Sequence, residues 1–181
     1  HNPDMTALLE LSAQLNKETD FLIVDNGTHE ISDIEESITV YKKCKKVISL
    51  DNNEGLGKAL NIGIAWALKE KYDFVFLFDQ DSSLCDFFVK SMIDAFFDAS
   101  DITMSNIAAV GPRIINPQTM RKTNFKLFSR LIFRSDIKLA NSFSHYYADF
   151  LITSGTLLYL KALASIGAMK ESYFIDNIDL E

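Results

Sequence analysis

Short apolar runs alternate along the chain with segments in which apolar residues recur every three or four positions. The apolar runs have the length and the β-branched or aromatic content of buried strands, and they cover residues 21–24, 47–50, 74–78 and 107–110. Helical spacing is found at residues 4–16, 31–43, 59–68 and 85–99. Strands that alternate with helices favour an α/β fold, with a mostly parallel sheet and helices on both of its faces.

Two of the predicted strands end in acidic residues. Residues 21–24 lead into Asp25-Asn26-Gly27, and residues 74–78 lead into Asp79-Gln80-Asp81. Ligands of open α/β sheets bind beyond the carboxyl ends of the strands, so both acidic ends are candidate binding positions. Two carboxylates separated by one residue also suit a hard divalent cation that binds a diphosphate at the same time. The alternative is that Asp79 and Asp81 only cap the turn before the next helix.

A glycine-rich loop leads into the third predicted helix. Residues 53–63 combine this loop with the start of the helix. Such a loop lets the backbone approach a ligand closely and directs N–H groups towards it. The loop lacks the Gly-Lys-Ser/Thr ending of a P-loop, and it departs from the Gly-x-Gly-x-x-Gly pattern of dinucleotide-binding proteins.

Three carboxylates lie beside aromatic residues near the end of the sequence, in residues 174–181. A hydroxyl nucleophile needs a positioned base that takes its proton as the new bond forms. Asp176 and Asp179 are candidates for this base. The alternative is an acidic turn on the protein surface.

Composition limits the classes of function. The chain has 181 residues, 48% of them hydrophobic, which suffices for a single domain with a sizeable core. Its 18 basic and 25 acidic residues give a net charge of −7, whereas a general nucleic-acid binder normally carries the opposite sign. Cys44 and Cys85 lack metal-ligand spacing and are interpreted as free thiols in a reducing compartment. The apolar runs are shorter than the roughly 20 residues that span a bilayer.

Residues 118–141 differ from the rest because they are basic and aromatic and have no clear period. This pattern predicts a long excursion or a flexible flap. A solvated loop with a few anchoring aromatic residues is one interpretation. A lid that faces the acceptor or a phosphate, or a contact with anionic lipid, is the other.

Taken in order, these features resemble the large inverting glycosyltransferase family called family two, and within it the bacterial rhamnosyltransferases. The matching motifs are Asn2-Pro3-Asp4, residues 23–27, Asn53-x-Gly55, Ala59-x-Asn61-x-Gly63, residues 78–82, Thr153-Ser154-Gly155 and residues 174–181. The resemblance spans nearly the whole chain. It implies a GT-A fold, which is a Rossmann-like α/β/α sandwich with a mixed, mostly parallel central sheet.

The resemblance also implies which residues bind the donor and the metal. Near the nucleotide it places Asp25, at the base or ribose, together with Asn53, Gly55 and Lys58. Asp79 and Asp81 correspond to the family's Asp-x-Asp motif, which holds Mg²⁺ or Mn²⁺. Asp81 is then the more direct metal ligand, and Asp79 lies nearer the ribose.

On the acceptor side the resemblance places Ser154 and Gly155, and it assigns the catalytic base to Asp179 or Asp176. Many relatives have Glu-Asp where this chain has Asp176-Asn177, which leaves the base open between the two aspartates and favours Asp179. The implied reaction is an in-line displacement that inverts the anomeric carbon of the sugar.

For the whole protein, the resemblance implies transfer of a sugar from a nucleotide donor to a polysaccharide or lipid-linked acceptor. The Asp-Gln-Asp-Ser sequence of residues 79–82 suggests dTDP-rhamnose as the donor. Surface polysaccharide or lipopolysaccharide of the bacterial cell envelope is the implied product, made in the cytoplasm with peripheral association at the inner membrane face. Residues 1–181 then form one catalytic domain that lacks the family's first strand and C-terminal helices. No sequence signal indicates an oligomeric state.

Two other functions fit parts of the sequence. A haloacid-dehalogenase-type phosphatase also carries an Asp-x-Asp motif after an apolar strand, which Asp79 and Asp81 match, but that strand normally lies near the N-terminus. The phosphatase hypothesis also leaves Asp25 and the glycine-rich loop unused. A non-catalytic module that binds sugar nucleotides is the second alternative.

Overall fold

The computed structural model describes residues 3–28, 31–103, 107–115, 119, 121–122, 126–128, 133–135, 146, 148–149 and 151–172. The helices in this part are α1 (Met5–Glu18), α2 (Ile31–Ile38), α3 (Leu56–Lys69), α4 (Phe88–Thr103) and α5 (Leu160–Ile166). The strands are β1 (Phe21–Asp25), β2 (Cys44–Ser49), β3 (Phe74–Phe76), β4 (Ala109–Val110), β5 (Lys126–Phe128), β6 (Phe133–Ser135) and β7 (Leu157–Tyr159). The order of helices and strands confirms the predicted α/β class.

The described strands form three separate sheets, which are a β1–β2 ladder, a β3–β7–β4 ladder and a β5–β6 pair. β1 and β2 pair in parallel, as expected for strands connected by a helix. β7 lies between β3 and β4 and is antiparallel to both, so β3 and β4 run in the same direction. Parallel and antiparallel pairings thus both occur among the described strands.

Helix α1 begins at Met5, one residue into the segment with helical spacing, and Asp4 is its N-cap. The Asp4 carboxylate accepts hydrogen bonds from the backbone N–H groups of Thr6 and Ala7, at 3.0 and 3.3 Å. These bonds satisfy donors that have no partner within the helix itself. The apolar side of α1 is buried through Leu8, Leu11 and Leu15.

Helix α3 packs directly on β1. Gly63 faces β1, where an added Cβ would lie at an ordinary van der Waals distance of 3.6 Å from Val24 Cγ2. The next residue, Ile64, and Ala67 join a buried cluster with Leu77, Leu158 and Leu160. One helix thus contacts both the β1–β2 and the β3–β7–β4 ladder.

Aromatic residues form the core beside β3 and α4. The Phe74 ring lies 4.9 Å from that of Phe96 and 5.3 Å from that of Tyr159, in edge-on and tilted arrangements. Such geometries are favoured by the quadrupole of aromatic rings. Of the phenylalanines on α4 and just before it, Phe88 and Phe96 are buried, whereas Phe87 and Phe97 are exposed.

The two ladders are also joined where β1 and β3 begin. The Tyr72 hydroxyl donates a 2.9 Å hydrogen bond to Asp20 Oδ2, and Lys45 Nζ lies 3.2 Å from Asp20 Oδ1. Burial raises the pKa of Asp20, but the hydrogen bonds from Tyr72 and Lys45 outweigh it and hold this pKa below 3.8. Burial and the same hydrogen bond raise the pKa of Tyr72 above 10.0.

Several boundaries differ from the sequence predictions. Helix α2 ends at Ile38 rather than near residue 43, because two backbone turns, Tyr41 N to Ile38 O and Cys44 N to Tyr41 O, lead into β2. Within the predicted flap, β5 and β6 pair as an antiparallel hairpin. Strand β7 and helix α5 were not predicted, since a three-residue strand leaves almost no periodic signal.

Two further features of the described residues bear on chemistry. None of the helices there is long and apolar enough to cross a bilayer. Both cysteines are free thiols, as predicted, with Cys44 half-buried in β2 and Cys85 exposed ahead of α4. Burial raises the pKa of the Cys44 thiol above 9.0.

Candidate functional site

A cavity of about 660 Å³ lies between β1 and β3. Apolar residues of α1, α3, β1 and β3 line its interior, and Asp20 and Tyr72 line the end where these strands begin. At the opposite end the lining is polar and includes Asp25, Asn26, Thr28, Asn53, Asp79, Gln80 and Asp81. Both acidic strand ends, which the sequence marks as candidate binding positions, therefore line the same cavity.

Asp25 is held firmly at the end of β1. Its residue is only 6% exposed, and its Oδ2 accepts hydrogen bonds from Thr28 N at 3.1 Å and Ser49 Oγ at 3.2 Å. The backbone carbonyl of Asp25 also accepts from Leu50 N at 2.9 Å. The carboxylate is thus fixed by the turn after β1 and by the neighbouring strand β2.

Asn26 and Asn53 join the turn after β1 to the glycine-rich loop. Asn26 Nδ2 donates to Asn53 Oδ1 at 3.0 Å, and Asn26 Oδ1 accepts from Glu54 N at 2.9 Å. Asn53 Oδ1 also accepts from Gly55 N at 3.0 Å. These amides fix the loop at the entrance of α3, where Gly55 adopts φ 91°.

Gly27 is required by this close approach. Its φ is +86°, and an added Cβ would overlap the Asn52 carbonyl carbon and lie 2.5 Å from Asn53 N. A residue with a side chain therefore meets both backbone strain and a steric clash at this position.

The Asp79–Asp81 turn is more open. Asp79 and Asp81 are both exposed, and the turn is closed by a 3.1 Å hydrogen bond from Ser82 N to Asp79 O. Ser82 Oγ also shares a short 2.5 Å hydrogen bond with Ser154 Oγ, which lies 3.5 Å from Asp79 N. The backbone of the turn is thus held, and Asp79 and Asp81 both line the cavity.

The structure places Ser154 and Gly155 directly behind this turn. Gly155 is buried, and a Cβ there would lie 2.8 Å from Pro112 Cγ. Gly155 N donates to Leu77 O at 2.6 Å, and Leu77 N donates to Thr156 O at 3.0 Å. These hydrogen bonds hold the backbone just before the acidic turn. The predicted contact of Ser154 and Gly155 with the acceptor stays a prediction.

Lys58 lies on the first turn of α3, outside the cavity lining. Its Nζ is 3.5 Å from Glu171 Oε2. Asn61 holds the same segment, since its Nδ2 donates to Met169 O and Glu171 Oε1 and its Oδ1 accepts from Met169 N, all at 2.9–3.0 Å. The hydrogen bond from Asn61 and the charge of Lys58 hold the pKa of Glu171 below 4.5.

The donor set of the acidic turn fits a hard divalent cation. Mg²⁺ and Mn²⁺ bind through one or two protein carboxylates and complete their coordination with water and substrate phosphates. Two exposed carboxylates beside a cavity meet that requirement, whereas a protein-only metal cage does not form: the part of the chain that is described holds no group of three or more candidate ligands.

Two predicted site residues are not covered by the structure, and three residues that support the site were not predicted to do so. Asp176 and Asp179 fall outside the described residues. Ser49, Gln14 and Asn61 support the site through contacts with distant parts of the chain. Only Asn61 belongs to a motif that the sequence singles out, and its role could not be inferred there.

Known proteins resemble this chain in both sequence and structure. Residues 5–152 match the family described as Glycosyl transferase family 2. The dTDP-rhamnosyl transferase RfbF of Shigella flexneri is 27% identical over 187 residues, an alignment that covers 100% of this chain and 58% of that protein.

Among solved structures, residues 1–349 of S. aureus TarS superpose with a TM-score of 0.60 at 18% identity, over 99% of this chain and 51% of that one. This likeness supports the GT-A type of fold. The chain spans little more than half the length of both relatives.

Proposed function

Because the chain belongs to glycosyl transferase family 2, we propose that it transfers a sugar from a nucleotide donor to a hydroxyl acceptor with inversion. The observation that carries this proposal is the grouping of Asp25, Asn53, Asp79 and Asp81 around one cavity at the ends of two strands. Family membership also accounts for Asp25 and the glycine-rich loop, which the phosphatase hypothesis leaves unused.

In the proposed reaction, the β1 end of the cavity recognises the nucleoside. Asp25 accepts a hydrogen bond from the base or the ribose, because its carboxylate is already fixed by Thr28 and Ser49. Asn53, Gly55 and Lys58 complete the nucleotide side. Lys58 has to exchange its contact with Glu171 for the donor, which is feasible because both side chains are partly exposed.

Asp79 and Asp81 would hold Mg²⁺ or Mn²⁺, with Asp81 the more direct ligand. When bound, the cation supplies positive charge that stabilises a nucleoside diphosphate as it leaves. The two aspartates are suited to this by their exposure. Contacts of Ser82 and Ser154 also hold the turn in place.

The proton of the acceptor hydroxyl passes to a carboxylate as the oxygen attacks the anomeric carbon. We assign this base to Asp179, with Asp176 as the alternative. Ser154 and Gly155 are proposed to line the acceptor side.

We propose dTDP-rhamnose as the donor. The similarity to a dTDP-rhamnosyl transferase supports this choice, as does the Asp-Gln-Asp-Ser sequence of the acidic turn. The proposed acceptor is a growing polysaccharide or a lipid-linked sugar at the inner membrane face, for synthesis of surface polysaccharide.

The first experiment is calorimetric titration of dTDP-rhamnose, UDP-glucose and GDP-mannose into the protein, each with and without Mn²⁺. Metal-dependent binding of dTDP-rhamnose is expected. Release of dTDP in the presence of a rhamnose acceptor then tests turnover. Binding without any release would favour the non-catalytic module, and binding of none of the three would contradict the proposal.

A further inference from the structure

Gln14, in the third turn of α1, makes two hydrogen bonds to the backbone of Leu84, which is 70 positions away. Its Oε1 accepts from Leu84 N at 3.1 Å, and its Nε2 donates to Leu84 O at 3.2 Å. A carboxamide is suited to this task, since it carries a donor and an acceptor side by side, as a paired strand does. Leu84 lies between the acidic turn and α4, where regular secondary structure offers its backbone no ladder partner.

A second contact from α1 fixes the next stretch of this segment. Glu18, the last residue of α1, accepts from Val89 N at 2.9 Å and so caps the start of α4. Between the two contacts, Phe87 has a φ of 60°, a conformation that is costly for a residue with a side chain. Helix α1 therefore holds residues 84–89 at both ends.

These contacts define the geometry of the acidic turn. Leu84 is three residues beyond Asp81, while Ser154 holds Ser82 and the Asp79 backbone from the opposite side. The exposed turn thus lies between two fixed points, one on α1 and one on the loop before β7. Without Gln14, the exit of the turn would lose this direct tether to α1.

We propose that Gln14 is a positioning residue for the Asp79–Asp81 turn, acting through the Leu84 backbone. This inference rests on the proposed role of the two aspartates in holding a divalent cation. Fixed orientation matters there because a cation bound by two carboxylates loses affinity when its ligands are free to separate.

The test compares Gln14→Met with Asn16→Leu in the full native chain. Met keeps the length and helix propensity of Gln but can neither accept from nor donate to Leu84. Asn16 is the matched control, since its side-chain amide also reaches from α1 to a backbone, accepting from Lys43 N at 2.9 Å, but far from the acidic turn.

Two readouts are measured on each variant. Amide hydrogen exchange reports on residues 79–87 without any ligand, and titration of Mn²⁺ in the presence of dTDP, followed by the spin-resonance signal of the free ion, reports metal affinity. Gln14→Met is expected to speed exchange in residues 79–87 and to raise the Kd for Mn²⁺ about tenfold. Asn16→Leu is expected to speed exchange around Lys43 and to leave the Kd unchanged.

The outcomes separate this inference from the proposed function. If the wild-type chain binds no Mn²⁺, the metal proposal fails and the positioning role falls with it. If the wild type binds Mn²⁺ and Gln14→Met binds it equally well, only the positioning role is overturned. The positioning role is also overturned if amide exchange in Gln14→Met becomes faster throughout the protein rather than in residues 79–87. Should Gln14→Met fail to fold, Gln14→Glu keeps the acceptor for Leu84 N and should give an intermediate Kd.

Discussion

The two acidic strand ends reach the same cavity but are built differently. At the end of β1, the Asp25 carboxylate is almost fully buried and is held by Thr28 and Ser49. At the end of β3, Asp79 and Asp81 are exposed, and the contacts that hold the turn go to its backbone and to Ser82.

The two strand ends differ in how far the protein alone fixes the carboxylates. The β1 end is organised by the protein alone, so it can recognise a rigid group such as a base or ribose without rearrangement. At the β3 end both aspartates are exposed, which suits the proposed site, where a cation and its phosphate ligands would complete the coordination. If the proposed function holds, a rigid recognition site and a shared coordination site lie side by side.

The largest expected effect is on activity at the β3 end. Asp81→Ala should lower metal-dependent transfer about a thousandfold, or about 4 kcal/mol of transition-state stabilisation, because charge neutralisation at the leaving group is lost. Its free energy of unfolding should change by less than about 0.5 kcal/mol, since Asp81 is exposed. Initial rates at saturating donor and urea unfolding measure the two quantities.

Asp86→Ala is the control for this prediction. Asp86 is also an exposed aspartate on the segment between β3 and α4, and it lies outside the cavity lining. It should retain wild-type activity. Equal losses in both variants would mean that the Asp81 effect is one of general surface charge.

The next effect tests the rigidity of the β1 end. Gly27→Ala should cost about 3 kcal/mol of folding stability, because its Cβ meets the backbone of Asn52 and Asn53 in addition to the strain of φ +86°. Gly167→Ala is the matched control, with φ +115° but nothing within 4 Å of its Cβ. Gly167→Ala should lower folding stability by only about 1 kcal/mol, measured by denaturant unfolding. Similar losses in the two variants would show that the loop at Asn52 and Asn53 shifts to accept the new Cβ.

Asp25→Ala should separate the two ends directly. It leaves the Thr28 N–H and the Ser49 hydroxyl without their shared acceptor, at a cost of about 2 kcal/mol in folding stability. Thermal unfolding of Asp25→Ala and Asp81→Ala side by side measures this. A stable Asp25→Ala protein would contradict the idea that Asp25 is part of the folded framework.

The smallest effect concerns the opposite end of the cavity. The depressed pKa of Asp20 stabilises the fold above about pH 4, and this contribution is lost as the pH falls through the folded-state value. The raised pKa of Tyr72 stabilises it below about pH 10, a contribution lost as the pH rises further. Tyr72→Phe should therefore lower stability by about 0.5 kcal/mol between these limits and flatten both flanks of the stability curve. Unchanged flanks would contradict this assignment.

Sequence patterns predicted the parts of this molecule that depend on local order. Apolar runs and turn residues located Asp25 and Asp79 at strand ends, and the rule for open sheets brought those ends together. The supports of the site could not be predicted, because Gln14 reaches Leu84 and Asn61 reaches Met169 across 70 and 108 positions. The place of β7 between β3 and β4 could not be predicted either, because it depends on tertiary packing and a three-residue strand does not encode it alone.

The two cysteines differ in exposure, so the chain can be labelled with a fluorophore at Cys85 alone. Thiol reagents attack the thiolate, so the half-buried Cys44, with its raised pKa, should react slowly near neutral pH, while the exposed Cys85 should take up a fluorophore first. The label would lie next to Leu84 and four residues from Asp81. Movements of the acidic turn on adding cation or nucleotide would then be read as a change in emission, with no residue of the chain replaced.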